Sequence, residues 1–341
     1  MAPENPWPFS CALPAACQFH PSLLPLHTTF APLFLRMLSF STCWNSSRHS
    51  DGEAMVDEIL SLGFDTIEIS HGLKVSLLPG IKKAFKAGRI KVSGVHNFCP
   101  SPVELMIDAP DAYEFTSHRP HDRERAMALT LKTIETAADY QAAYVVLHLG
   151  TVPMGKPSSL LADQVANGRI HSRQFVRDKL KMIKTRESLS RRYFGRAREA
   201  LGKIAAHAEK LGVPVAVESR SHYEQVPSER EMVALMEECA SPWVGYWHDF
   251  GHVQLKANLD LLDHHQWLSR MTPWLIGCHL HDVIWPDRDH RVPFQGSVEY
   301  DRLLPLIPPH KPLVWELSHR RKKEDILMAL PLWRAKFAAW S

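Results

Sequence analysis

The sequence predicts a single-domain (β/α)8 barrel, an α/β fold, behind an N-terminal extension, and three observations lead there. From Met37 onward, short β-rich runs alternate eight times with longer helical ones. The short runs are apolar on both faces, as strands are when helices cover a parallel sheet. Seven of them end on an acid or a histidine, and the C-terminal strand ends are where such a barrel builds its site. An open doubly wound sheet would need a glycine-rich phosphate turn after its first strand, and CWNSSRHSDGE is not one.

The elements follow in order. LSFSTC (38–43) reads as the first strand. Asp51 is placed to cap an amphipathic helix, EAMVDEILSLG, that Gly63 closes. TIEIS is the second strand, and VSLLPGIKKAFKAG is helical with a Pro-Gly interruption. VSGVHNF is the third strand, residues 122–140 are helical, and YVVLHLG is the fourth. REALGKIAAHAEKLG leads to the fifth, VPVAVES, and SEREMVALMEECA to the sixth, VGYWHDF. DLLDHHQWLSRM leads to the seventh, LIGCHLHDV, and EYDRLLPLI to the eighth, PLVWELS. KEDILMALPLWRAKFAAW is the closing helix.

The bulk numbers agree with one large barrel, residues 37–341. The chain has 341 residues and 45% hydrophobic content, enough for a large core. A formal charge of +3 is only mildly basic and makes no strong case for nucleic acid as a partner. Six scattered cysteines (Cys11, Cys17, Cys43, Cys99, Cys239, Cys278) contain no CxxC pair, which argues against a disulfide or zinc-ribbon framework and for a reducing, cytoplasmic setting. No run approaches the roughly 18–20 apolar residues of a membrane span. Residues 1–36 are proline-rich, with no lysine or arginine before Arg36, unlike a secretory signal. They read as a disordered extension, with Met37 as an alternative start.

One segment breaks the rhythm. Residues 151–195 are longer than a normal connection and strongly basic, from Lys156 through Arg192, against only Asp163, Asp178 and Glu187. A solvated helical excursion, a subunit contact in a homo-oligomer, and a lid or cradle for an anionic substrate all remain open.

An ionisable group costs several kcal/mol to bury unless it is paired or coordinates a metal. A chain that places Glu68, His96, His148, Glu218, Asp249, His279 and Glu316 at strand ends is therefore assembling one site. Glu218, Asp249, His279 and Glu316 end strands five to eight, which are neighbours around a barrel. Three carboxylates and an imidazole suit a divalent ion such as Mn, Mg, Co or Zn. His252, read as a loop residue three positions after Asp249, could bind a second ion or substrate. His96 and His148 could hold a further ion bridged by Glu218, or bind sugar hydroxyls. Glu68 is balanced between an ion pair and a pocket role. His281, two residues after His279, could line the pocket, and Asp282 reads as a loop cap or a histidine acceptor. Arg220 could clamp a phosphate or carboxylate, or form a plain ion pair. Among Trp44, Trp247, Trp285 and Trp315, Trp247 is the candidate to stack on a sugar ring, with core packing as the alternative. His290 lies in DRDHRVPFQG.

Carried by YVVLHLG, VAVES, WHDFGH, CHLHD, DRDHRVPFQG and VWELS, residues 37–340 resemble the xylose isomerase-like barrel superfamily of sugar isomerases, sugar epimerases and endonuclease IV. In the isomerase and epimerase branches, the resemblance implies one divalent metal on Glu218, Asp249, His279 and Glu316. Glu218 and Glu316 would also act as acid and base. In the endonuclease IV branch it implies three zinc ions, with His96, His148, Glu218, Asp249, His252, His279, His290 and Glu316 matching eight of nine ligands. The ninth, an aspartate, falls on Arg288. The expected activity is isomerisation or epimerisation of a sugar or sugar phosphate. The alternatives are a zinc phosphodiesterase acting on abasic DNA and a non-catalytic metal-binding barrel.

Overall fold

The computed structural model describes residues 38–102 and 111–341. The extension expected over residues 1–36, the alternative start at Met37, and Cys11 and Cys17 lie outside the described residues. Eight strands close into a barrel in sequence order: β1 (Leu38–Ser41), β2 (Thr66–Ile69), β3 (Lys91–His96), β4 (Val145–Leu147), β5 (Val215–Glu218), β6 (Val244–Asp249), β7 (Leu275–Leu280) and β8 (Leu313–Trp315). Every neighbouring pair is parallel, including β8 with β1. The expected fold class is the observed one.

Strand alternation sorts the barrel interior into layers. Tyr144, Val146, Ala216, Trp247 and Val314 pack together inside the barrel. Two residues further along the same strands come Val146, His148, Glu218, Asp249 and Glu316, so all but one of the five interior positions is followed by an ionisable group. The apolar layer is thus the floor of the polar one. It needs room, which glycine supplies. A Cβ on Gly94 would lie 2.0 Å from the Tyr144 ring, and one on Gly277 would lie 2.4 Å from the Trp247 ring. Gly94→Ala is expected to lower the unfolding free energy by about 1–3 kcal/mol through overpacking, read as a fall in the urea midpoint. An unchanged midpoint would show that the Tyr144 ring can move aside.

The helices are α1 (Gly52–Leu60), α2 (Leu78–Lys86), α3 (Pro120–Asp139), α4 (Pro157–Ala166), α5 (Arg173–Leu211), α6 (Glu229–Cys239), α7 (Phe250–Asn258), α8 (His264–Met271), α9 (Tyr300–Leu303) and α10 (Lys323–Lys336). Their apolar faces form the outer core against the strands. The anticipated cap operates: Asp51 accepts from the Glu53 N–H; in addition, Ser228 and Glu231 form a reciprocal capping box at the start of α6. No helix among the described residues is long and apolar enough to cross a membrane.

Two elements differ from the sequence expectation. The return helix after β4 does not start near Arg198. It is the 39-residue α5, and the basic 151–195 segment is α4 plus the first half of that helix. Phe175 and Met182 of α5 pack on Leu161, Ala162 and Val165 of α4, so this excursion carries an apolar cluster of its own. After β6 the chain enters α7 at once, because Asp249 is itself the cap: its carboxylate accepts from the His252 N–H. His252 therefore sits in a first helical turn, not in a loop.

Candidate metal centre

Glu218, Asp249, His279 and Glu316 converge at the C-terminal ends of β5 to β8. Register explains why: Asp249 lies opposite His279, and Trp315, next to Glu316, lies opposite Leu280, next to His279. Each offers a ligand atom, and the four atoms lie within 4.8 Å of one another. His279 Nδ1 is 2.8 Å from Glu218 Oε1, 3.3 Å from Glu316 Oε2 and 3.7 Å from Asp249 Oδ2. All four residues are buried.

The other nitrogen of His279 is held from behind. Nε2 lies 3.1 Å from Glu68 Oε1, and the Tyr144 hydroxyl donates to Glu68 Oε2 at 3.1 Å. This fixes the ring so that Nδ1 faces the carboxylates, the arrangement by which a carboxylate behind a ligating histidine orients it. Glu68 thus has a positioning role. Glu68→Gln is expected to weaken divalent-metal binding about 10–100-fold while the chain stays folded, measured by metal titration. Unchanged affinity would remove Glu68 from the centre.

The electrostatics keep the carboxylates charged. Burial opposes ionisation of Glu218, but His148 and His279 outweigh it and hold the carboxyl well below its usual range. Burial likewise opposes the charge of Glu316, and His279 and His290 hold its pKa low. His279 is pulled well above its ordinary value, because Glu316, Glu68 and Glu218 overcome the effect of burial. Glu68, Glu218, Asp249 and Glu316 place four buried carboxyls around one imidazole, so the donor set and its charge both fit a hard or borderline divalent ion.

The remaining expected residues ring this centre. His148 bridges two carboxylates, with Nε2 2.5 Å from Glu218 Oε2 and Nδ1 2.9 Å from Asp111 Oδ1. Arg220 is buried and donates from Nη2 to Asp111 Oδ2 at 2.7 Å, with Nη1 3.7 Å from Glu218 Oε2. The plain ion pair weighed for Arg220 is present, and its partner Asp111 was not foreseen. His96 is buried, with Nε2 3.5 Å from Glu218 Oε2, and burial lowers its pKa. His71, also unforeseen, lies two residues past the end of β2, with Nε2 4.0 Å from Glu316 Oε1. Its position just past TIEIS is the same strand-end signal that marked the other residues.

On the far side, a two-stranded hairpin (Asp282–Ile284 with Arg288–Arg291) folds His290 back over the site. His290 stacks on His281 at 4.1 Å and donates from Nδ1 to the Glu316 carbonyl at 3.2 Å. His252 Nδ1 faces the Ser219 carbonyl at 3.1 Å, and burial takes its pKa down to about 4 against the pull of Asp249.

Two substrate-contact expectations need correcting. His281 is wholly buried; Nε2 is 2.9 Å from Asp249 Oδ1, and Nδ1 accepts the His290 N–H at 2.9 Å, so both nitrogens are used inside the protein. Trp247 has no exposed surface and packs on Tyr144 at 4.3 Å and His279 at 5.0 Å, so it supports the centre from below. Trp44 and Trp315 are also core residues, whereas Trp285 is half exposed. Asp282 caps its loop, accepting from Val283, Gly296 and Val298.

Comparison with known proteins adds to this picture. A D-tagatose 3-epimerase-like protein superposes with a TM-score of 0.62 at 15% identity, covering 89% of this chain and 98% of its own. An L-ribulose 3-epimerase gives 0.62 at 13%, covering 90% and 95%. The 3-keto-D-glucoside 4-epimerase YcjR from E. coli gives 0.62 at 14%, covering 88% and 100%. At these identities the likeness is one of fold. No curated protein matches the chain in sequence. The family model described as xylose isomerase-like TIM barrel matches residues 56–329, well over half of the chain. The chain therefore belongs to the xylose isomerase-like TIM barrel family.

Proposed function

We propose that the protein is a metal-dependent isomerase or epimerase of a sugar or sugar acid, free or phosphorylated, working by proton transfer between carboxylates. The observation that carries this reading is the pair Glu218 and Glu316. They are buried, their charge is favoured, and they approach the same His279 nitrogen from different strands. The epimerase names of the structural neighbours support it.

A divalent ion held by Glu218, Asp249, His279 and Glu316 would supply Lewis-acid polarisation of a carbonyl and its neighbouring hydroxyl. The side chains do the rest. Glu316 takes the proton on the carbon next to the carbonyl, and Glu218 returns one from the other side after receiving it from His148, which is hydrogen-bonded to it. His148, braced by Asp111, hydrogen-bonds Glu218 and steadies its charge. Asp249 is tied to the His252 N–H and to His281, which keeps it a ligand and out of proton transfer. Incubating the metal-loaded protein with a panel of ketoses, sugar acids and their phosphates, followed by NMR, tests the reading. Interconversion of one member supports it, and inertness across the panel contradicts it.

One observation favours the second reading, a zinc phosphodiesterase. His252 and His290 each turn Nδ1 toward a backbone carbonyl, which leaves Nε2 as a ligand position. Against it, Arg288 stands where that pattern has an acid. Salt-sensitive cleavage of abasic DNA would establish it.

A further inference from the structure

We propose a second divalent-cation site on the opposite side of Glu316 from the first, formed by His71, His96 and Glu316. The inference goes beyond the reaction and does not depend on which substrate is used.

The argument begins with His96. Its Nδ1 lies 3.0 Å from the carbonyl of Asn97, an acceptor only, so the ring proton belongs on Nδ1. Nε2 is then a lone pair, and it points at Glu218 Oε2 3.5 Å away. Glu218 Oε2 is already served by His148 and Arg220, so the His96 lone pair remains available as a ligand atom.

The geometry supplies a place for a cation there. The ligand atoms of His71, His96 and Glu316 lie within 4.8 Å of one another. His71 Nε2 is 4.0 Å from Glu316 Oε1, and the two imidazoles meet edge to face at 4.7 Å. A cation with bonds of roughly 2.0–2.2 Å draws such a set together with small side-chain movements. Glu316 can serve both sites because its oxygens are divided: Oε2 faces His279 and Oε1 faces His71. Two imidazoles and one carboxylate suit a borderline ion such as Zn, Co or Mn. His71 is also the solvent route, since 16% of its side chain is exposed whereas His96 is almost wholly covered.

The set is distinct from the one a Glu218-bridged ion would use. That ion would take His96 with Glu218 and His279, whereas this one takes it with His71 and Glu316. The new site has fewer carboxylates than the first and shares one of them, so it is the weaker and fills second. Filling it holds Glu316 on both oxygens, and high metal concentrations are expected to slow any reaction in which Glu316 is the base.

Cobalt(II) binding to the chelator-stripped protein tests this by equilibrium dialysis with elemental analysis. The wild-type chain is expected to saturate at two ions, the tighter one first. His71→Ala is expected to stop at one, with the tighter site unchanged, and His148→Ala is expected to keep two. His71→Leu, which keeps side-chain volume at that position, repeats the test, and near-ultraviolet circular dichroism checks the fold of each variant. Saturation of the wild type at one ion would overturn the proposal. So would a second ion that survives both His71 substitutions, or one lost with His148 instead.

Discussion

Arg186→Ala is expected to destabilise the protein by about 3–5 kcal/mol, the range for removing one partner of a buried ion pair. Arg186 is only 2% exposed although it lies on the basic stretch of α5. Its guanidinium holds Glu231 with both ends, Nη1 to Oε1 at 2.9 Å and Nη2 to Oε2 at 2.7 Å. It also donates to the carbonyls of Tyr223 and Gln225. Removing it strands a buried carboxylate and two carbonyls at once, and Glu231 is half of the capping box that starts α6. These contacts brace the loop between Glu218 and α6, which also carries Arg220, so metal affinity should fall with stability. Urea unfolding of the metal-free variant measures the first effect. A loss below about 1 kcal/mol, ordinary for a surface substitution, would mean that the pair is not buried in solution. The double variant Arg186→Met with Glu231→Leu should recover much of the loss, because a packed apolar pair replaces a buried charge pair at little net cost.

Glu316→Gln is expected to reduce turnover by about 10²–10⁴-fold, the share that general acid–base catalysis contributes. The amide keeps the shape and one ligand oxygen but cannot take a proton. Because Glu316 is buried against His279 and its backbone N–H continues the strand ladder to Leu280, the fold should survive. Exchange of the substrate's α-proton should be lost with turnover. If exchange persists while turnover falls, Glu316 is a ligand alone and the base lies elsewhere, with Glu218 as the remaining candidate.

The barrel was legible because its strands are apolar runs with an ionisable residue at the end, and burial makes such a residue conspicuous. The same reasoning found Glu218, Asp249, His279 and Glu316. It could not fix Glu68, because only the closed barrel carries the end of β2 across to the back of His279. Asp111 lies in irregular chain with no periodicity to point at it, and its role exists only through His148 and Arg220. Trp247 was misjudged for want of the layer count: it shares Asp249's face of β6 but sits one layer deeper. The start of α7 was missed because its cap, Asp249, was read only as a ligand, whereas it does both. His281 was read as lining the pocket, but it lies just past the paired Asp249 and His279 and turns to Asp249, while the His290 N–H reaches it from a hairpin that strand order does not foretell.

The central claim is that the four converging side chains hold a divalent ion and that the glutamates among them move a proton next to a carbonyl. Transfer of deuterium from solvent into ketose and sugar-acid substrates, followed by NMR on the wild-type protein, tests it most directly. With metal present, label should enter the carbon beside the carbonyl of at least one substrate, and chelation should stop it. Folded, metal-loaded protein that incorporates no label, or incorporation that continues after the metal is removed, would contradict the account.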